Sequence, residues 1–322
     1  MISSELPSTL QRHQYAAFEA GPRLLVLGAV HGNETCGTRA IERLQQELDS
    51  GALRLKRGLL TLVPVTNPLA YRKGQRQGER NLNRNMRVNP APRNFEDHIA
   101  NVLCPWIAEH EVLLDLHSFH TGGLPFAMLG PEDNSGDIEP FAQAQAEQRM
   151  AAHLGTRRIV EGWMPAYARG VERRRKEGKV SAPDLLDRNY GVGTTEFART
   201  QGVYGITLEC GQHEDPQAPE VAYKAILQTL ALLDMVDAPL EPPEEDIEII
   251  RLVDVIDMEH AADRFTREWA SFDRVTKGDV IGHRHGGAAV TAPDDGYIVF
   301  PNPKALAGNE WFYFGVRSER RL

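Results

Sequence analysis

Three nearly uninterrupted apolar runs, each followed at once by polar residues, constrain this chain more than any other feature. Residues 23–30 (RLLVLGAV) lead into His31-Gly32-Asn33-Glu34, residues 59–65 (LLTLVPV) into Asn67-Pro68, and residues 112–116 (VLLDL) into His117-Ser118. Strands whose apolar residues run on without alternation are covered by helices on both faces. A helix is expected directly after the first run, because Ile41, Leu44 and Leu48 recur at helical spacing between Thr35 and Leu48. The pattern predicts an α/β fold with a mainly parallel or mixed sheet flanked by helices. Ligands collect beyond the carboxyl ends of such strands, where all three polar clusters fall.

Further along, Val203–Cys210 (VYGITLEC) reads as another buried strand, and Glu220–Met235 as an apolar helix. The Pro-rich, acidic stretch 237–247 has the composition of a linker. Beyond it, short β-prone pieces separated by Gly and Pro turns suggest a small all-β unit. The 322 residues are accordingly expected to divide into a catalytic domain, 1–240, and a β-rich C-terminal domain, 241–322. Residues 161–196 break the pattern with a charged, Gly- and Pro-containing excursion, whose basic part Arg169–Lys179 reads as a solvated surface.

Charge and composition exclude several roles. With 36 basic and 45 acidic residues the net charge is −9, which opposes broad binding to nucleic acid or to an anionic membrane. No run reaches the ~18 apolar residues of a membrane helix, and the N-terminal stretch lacks a signal-peptide layout, so a cytoplasmic location is expected. The cysteines Cys36, Cys104 and Cys210 form no CxxC pair and read as buried reduced thiols rather than disulfides or a thiolate metal site. A homo-oligomer is compatible with the sequence.

His31 and Glu34 offer a nitrogen and an oxygen donor three residues apart in a turn after a strand. A catalytic zinc takes three protein ligands and keeps a position for water, so one further imidazole completes a His₂Glu set. His117, ending another buried strand, is the candidate; His120, in a Gly-rich loop, is the rival. The competing interpretation of Glu34 is an acid at a helix N-terminus. Gly28, Gly32 and Asn33 suggest a backbone that needs unusual dihedrals around the pair. Asp115 projects from the same strand face as His117 and can orient its ring. Among the arginines after the second run, Arg80 and Arg87 read as coating a solvated loop.

GAVHGNETCG, LLDLHS and ITLECG together resemble the two metal motifs and the catalytic-glutamate strand of the succinylglutamate desuccinylase and aspartoacylase family, itself related to zinc carboxypeptidases. The resemblance covers most of the chain, including the C-terminal VFPNPKALAG, and implies a zinc-carboxypeptidase-like fold. It implies one zinc ion held by His31, Glu34 and His117, with Glu209 as general base. NLNRNM resembles the family's Asp-Leu-Asn-Arg substrate motif, which carries substrate contacts to Asn83 and Arg84 and puts Asn81 in place of the usual aspartate. By spacing, the resemblance further implies that Arg76 polarises the scissile carbonyl and that Arg199 binds substrate.

The expected chemistry is hydrolysis of an N-acyl amino acid, a small anionic substrate, by metal-activated water. A guanidinium fork fits such a carboxylate through two hydrogen bonds. The alternatives are a metallocarboxypeptidase or esterase with the same site, or a metal-dependent binding protein without turnover. A cysteine nucleophile at Cys210 lacks the accompanying Cys/His signature. Retention of Glu209 argues against the binding protein, which has no need of an extra carboxylate on a buried strand.

Overall fold

A computed structural model describes residues 6–178 and 186–322. In chain order these residues form β1 (His13–Ala16), β2 (Glu19–Leu27), α1 (Cys36–Ser50), β3 (Arg57–Val63), α2 (Pro68–Lys73), α3 (Phe95–Ala108), β4 (Val112–Phe119) and β5 (Phe126–Met128). There follow α4 (Ala144–Ala152), β6 (Arg158–Glu161), α5 (Trp163–Glu177), α6 (Thr194–Thr200), β7 (Tyr204–Gln212) and α7 (Ala218–Leu232). The C-terminal part comprises β8 (Glu248–Asp257), β9 (Arg264–Phe265), β10 (Arg274–Val275), β11 (Val280–His283), β12 (Ala289–Thr291), β13 (Gly296–Val299) and β14 (Glu310–Arg317).

The expected α/β fold with a mixed sheet is present. One large sheet runs β1-β3-β2-β4-β7-β5-β6-β8-β14-β13-β10. Its centre, β3-β2-β4-β7, is parallel, whereas β5 pairs antiparallel with β7 and the C-terminal strands are antiparallel to one another. All eight residues of β4 are buried, as a strand covered on both faces requires. On one face Ile41 and Leu44 of α1 pack with Ile226 and Leu230 of α7; on the other lie Ile99 and Leu103 of α3 and Ala198 of α6. No helix among the described residues is long and apolar enough to cross a membrane.

The chain leaves β2 for β3 on one side while β4 pairs on the other, which makes the β2–β4 junction a topological switch point. The loop after β2 carries His31, and the register places His117 of β4 beside Glu209 of β7. Expectations for the glycines are corrected here. Ala29, not Gly28 or Gly32, adopts a left-handed conformation, with φ 46°. Gly32 instead lets two backbones meet: a Cβ there would lie 1.9 Å from the carbonyl carbon of Ala70.

The basic stretch before residue 179 is solvated on one face only: Arg169, Arg175 and Lys176 are exposed, whereas Arg174 is buried. It lies on α5, where Arg174 pairs with Asp257 at 2.6 Å, Arg173 pairs with Asp254 at 2.6 Å, and Arg169 Nε donates to Val253 O at 2.6 Å. These contacts clamp the helix against β8. Lys179 and the rest of that stretch up to residue 185 lie outside the described residues. Arg80 is likewise partly buried, bonding Asp97 at 2.9 Å and the carbonyl oxygens of Asn81 and Arg84. It braces the loop that presents Asn83 and Arg84.

Candidate metal centre

A turn closed by Glu34 N donating to His31 O at 3.1 Å sets the first two candidate ligands side by side. His31 Nδ1 lies 2.9 Å from Glu34 Oε1, and His117 Nδ1 lies 2.8 Å from Glu34 Oε2. One donor atom from each of the three residues falls within 4.8 Å of the others, all buried. Glu34 accepts nothing from the helix behind it, whose first turn carries no acid. The carboxylate is turned to the imidazoles and to Ser118 N, at 3.2 Å.

The far nitrogens of both rings are held. His117 Nε2 donates to Asp115 Oδ2 at 2.9 Å, and Thr194 Oγ1 donates to the same oxygen. His31 Nε2 donates to Asn81 Oδ1 at 2.9 Å, and that oxygen also accepts Asn83 N. Fixing the outer nitrogen aims the inner nitrogen of each ring at a common point. His31 Nδ1, Asp115 Oδ1 and Glu209 Oε2 are nonetheless buried without a hydrogen-bond partner. Buried polar atoms are rarely left so, and the Nδ1–Oε1 approach of His31 and Glu34, close but outside hydrogen-bond geometry, fits two ligands aimed at a third body between them.

The electrostatics follow from burial. Desolvation, with Arg76 adding to it, lowers His31 to about 4. Desolvation also opposes the charge of His117, but the carboxylates of Asp115 and Glu34 outweigh it and hold that ring well above the usual histidine range. Glu34 lies well below the carboxylate range because both imidazoles outweigh its burial. Glu209 goes the other way: desolvation raises its carboxyl to about 8. A group poised near neutrality is what general acid–base chemistry requires.

These residues floor a cleft of about 450 Å³ lined by Arg76, Asn83, Arg84, Glu209, Trp163 and Tyr313 among others. Arg76 reaches Glu34 Oε1 at 2.9 Å with 39% of its side chain exposed. Asn83 Oδ1 accepts Thr194 N at 2.8 Å. Arg84 is buried, donates to Glu310 Oε1 at 3.1 Å, and lies 4.9 Å from the centroid of the Trp163 ring. Burial works against its charge, but Glu310 more than offsets this and keeps the guanidinium firmly protonated. Glu310 is a residue that the sequence reasoning missed. A carboxylate opening the otherwise apolar EWFYF run was the available signal.

Arg199 is not brought to the cleft, which corrects its expected place beside the substrate. Its side chain is 2% exposed, with Nη1 on Glu139 at 2.6 Å, Nε on Glu147 at 2.9 Å and Nη2 on Gly205 O at 3.0 Å. Every nitrogen is used by the protein, and the residue lines a separate cavity of about 300 Å³. His120 lines the cleft but stands outside the convergent set of His31, Glu34 and His117.

The profile of the succinylglutamate desuccinylase/aspartoacylase catalytic domain matches residues 20–236. Among curated proteins, N-alpha-acetyl-L-2,4-diaminobutyric acid deacetylase from Halomonas elongata is 27% identical over 275 residues, covering 81% of this chain and 70% of the relative. Succinylglutamate desuccinylase from Pseudomonas paraeruginosa is 25% identical over 309 residues, covering 91% and 83%. Among solved structures, a succinylglutamate desuccinylase/aspartoacylase from Rhodobacter sphaeroides superposes with TM-score 0.71 at 16% identity, covering 97% of this chain and 90% of that one. The product-bound ectoine utilization protein EutE (DoeB) from Ruegeria pomeroyi gives 0.70 at 20%, covering 95% and 88%. The structural likenesses establish the shared fold.

Proposed function

Since the chain belongs to the succinylglutamate desuccinylase/aspartoacylase family, whose named relatives deacylate small acylated amino acids, we propose that it is a zinc-dependent amidohydrolase cleaving the amide bond of an N-acyl amino acid. The observation that carries this reading is the convergence of buried donor atoms from His31, Glu34 and His117 in one cleft with the unpartnered Oε2 of Glu209. Two imidazoles and a carboxylate suit zinc, the donor set of a catalytic rather than a closed structural site. When bound, such an ion supplies a Lewis acid that polarises a carbonyl and acidifies water.

The protein's own residues do the rest. Glu209 takes a proton from the attacking water at Oε2 and returns it to the leaving nitrogen. Arg76 is placed to donate to the oxygen that gains charge as the carbonyl carbon becomes tetrahedral. Arg84, oriented by Glu310 and the Trp163 face, and Asn83 hold the carboxylate of the amino-acid part. Asp115 orients His117. In the same reading residues 1–240 are the catalytic unit, and 241–322 the smaller β-rich unit that walls the cleft with Glu310 and Tyr313. Three buried free thiols support a reducing, cytoplasmic setting.

The discriminating experiment is a panel of N-acyl amino acids, dipeptides with free C-termini and simple esters, assayed with the zinc-loaded and the metal-stripped protein. Zinc-dependent release of amino acids from the N-acyl members is expected. Cleavage confined to dipeptides or to esters would instead make the chain a carboxypeptidase or an esterase.

A further inference from the structure

Beside the cleft, which Ser118 and His120 help to line, a second group of side chains has no part in the reaction described above. His120 directly follows β4 and His213 directly follows β7. Their rings meet edge to face with centroids 4.6 Å apart, and His120 Nδ1 lies 3.2 Å from His213 Nε2. The other nitrogen of His213, Nδ1, lies 2.8 Å from Ser118 Oγ. Backbone contacts hold both residues: His213 N donates to Phe119 O at 3.0 Å, and Gln212 Nε2 donates to His120 O at 3.2 Å.

Burial lowers the affinity of both rings for a proton, His213 to about 4, so near neutrality each is the uncharged imidazole that metals require. The two rings can share a hydrogen bond when one inner nitrogen carries a proton; with His213 Nδ1–H donating to Ser118 Oγ and His120 protonated on Nε2, both inner nitrogens instead present lone pairs. That arrangement is repulsive unless something electrophilic stands between the rings. Two imidazole nitrogens bound at ~2.0–2.1 Å to one tetrahedral ion lie about 3.3 Å apart, which matches the observed spacing. The Ser118 hydroxyl then plays the part of the outer hydrogen-bond partner that fixes a ligand's tautomer and aim.

We propose that His120 Nδ1 and His213 Nε2 chelate a second, exchangeable transition-metal ion beside the cleft, of the imidazole-preferring class of Zn²⁺, Ni²⁺ and Cu²⁺. Its remaining positions face solvent. Mg²⁺ and Ca²⁺, which take oxygen ligands, do not fit a pair of nitrogens. With two protein ligands and the cation Arg76 near both rings, the site binds more weakly than the deep cluster and empties on dialysis. The proposal uses none of the deep cluster's donor atoms and stands whatever that cluster holds.

The test is equilibrium dialysis of the whole protein, already carrying whatever metal it binds tightly, against graded Zn²⁺ or Ni²⁺, with metal content read by elemental analysis. The Cu²⁺ visible spectrum gives a second readout of nitrogen ligation. One additional equivalent should bind to the unaltered protein, undisturbed by excess Ca²⁺ or Mg²⁺. His120→Gln and His213→Gln should each weaken it by at least about tenfold, with melting midpoints unchanged. His285→Gln, which alters the stacked His260–His285 pair in the C-terminal region, should retain it. No additional equivalent in the unaltered protein, or one that survives both cleft variants, would overturn the proposal.

Discussion

Two buried clusters of charged side chains sit within reach of Trp163, which lines the cavity beside each. Around Arg199, three carboxylates and a carbonyl use every guanidinium nitrogen. Two of the carboxylates also accept from the backbone: Glu147 accepts Gly130 N and Gly205 N, and Glu196 accepts Gly193 N. Around His31 and His117 the outer atoms are equally well tied, yet His31 Nδ1, Asp115 Oδ1 and Glu209 Oε2 have no hydrogen-bond partner. A closed network of this kind fixes α4 and α6 against the sheet. The other keeps donor atoms of His31, Glu34 and His117 close enough together to hold an ion.

The sharpest way to break this contrast is to remove Arg199. Arg199→Ala leaves Glu139, Glu147 and Glu196 buried without their counter-ion, and unfolding in denaturant should show a loss of about 3–5 kcal/mol. An unchanged unfolding midpoint would make Arg199 available for binding after all. Glu209→Gln should behave oppositely. Turnover is expected to fall by ~100-fold or more, while the melting midpoint and metal content stay near those of the parent.

A smaller effect concerns pH. In the metal-free protein, burial raises the Glu209 carboxyl from 4.5 to about 8, so the folded chain binds this proton more tightly than the unfolded one. The corresponding stability is present in full below pH 4.5 and is lost as pH rises from there to about 8. Melting midpoints across that window should fall more steeply for the metal-free parent than for Glu209→Gln. Parallel curves would mean that Glu209 is ionised in the apo fold.

Much of this was legible in the sequence because it is local. The apolar runs before His31 and His117 became β2 and β4, and a period-two argument put Asp115 and His117 on one face, where they now share a hydrogen bond. What stayed hidden depends on distant partners. Glu310 lies 226 positions from Arg84, and no local pattern links them. Arg199 was misplaced because the resemblance that assigned it is silent about Glu139 and Glu147, whose separations from it are 60 and 52 residues. The pairing of Arg173 and Arg174 on the inner face of α5 was hidden for the same reason, since their acids Asp254 and Asp257 sit on β8.

Metal stoichiometry reads out whether a zinc ion on His31, Glu34 and His117 completes the deep cluster. After stripping, reconstitution with limiting zinc and removal of loosely held metal, the unaltered protein should retain one equivalent per chain, and His117→Ala, verified as folded by its melting transition, should retain none. One tightly held equivalent in folded His117→Ala, or none in the parent, would rule out a zinc site built on these three residues.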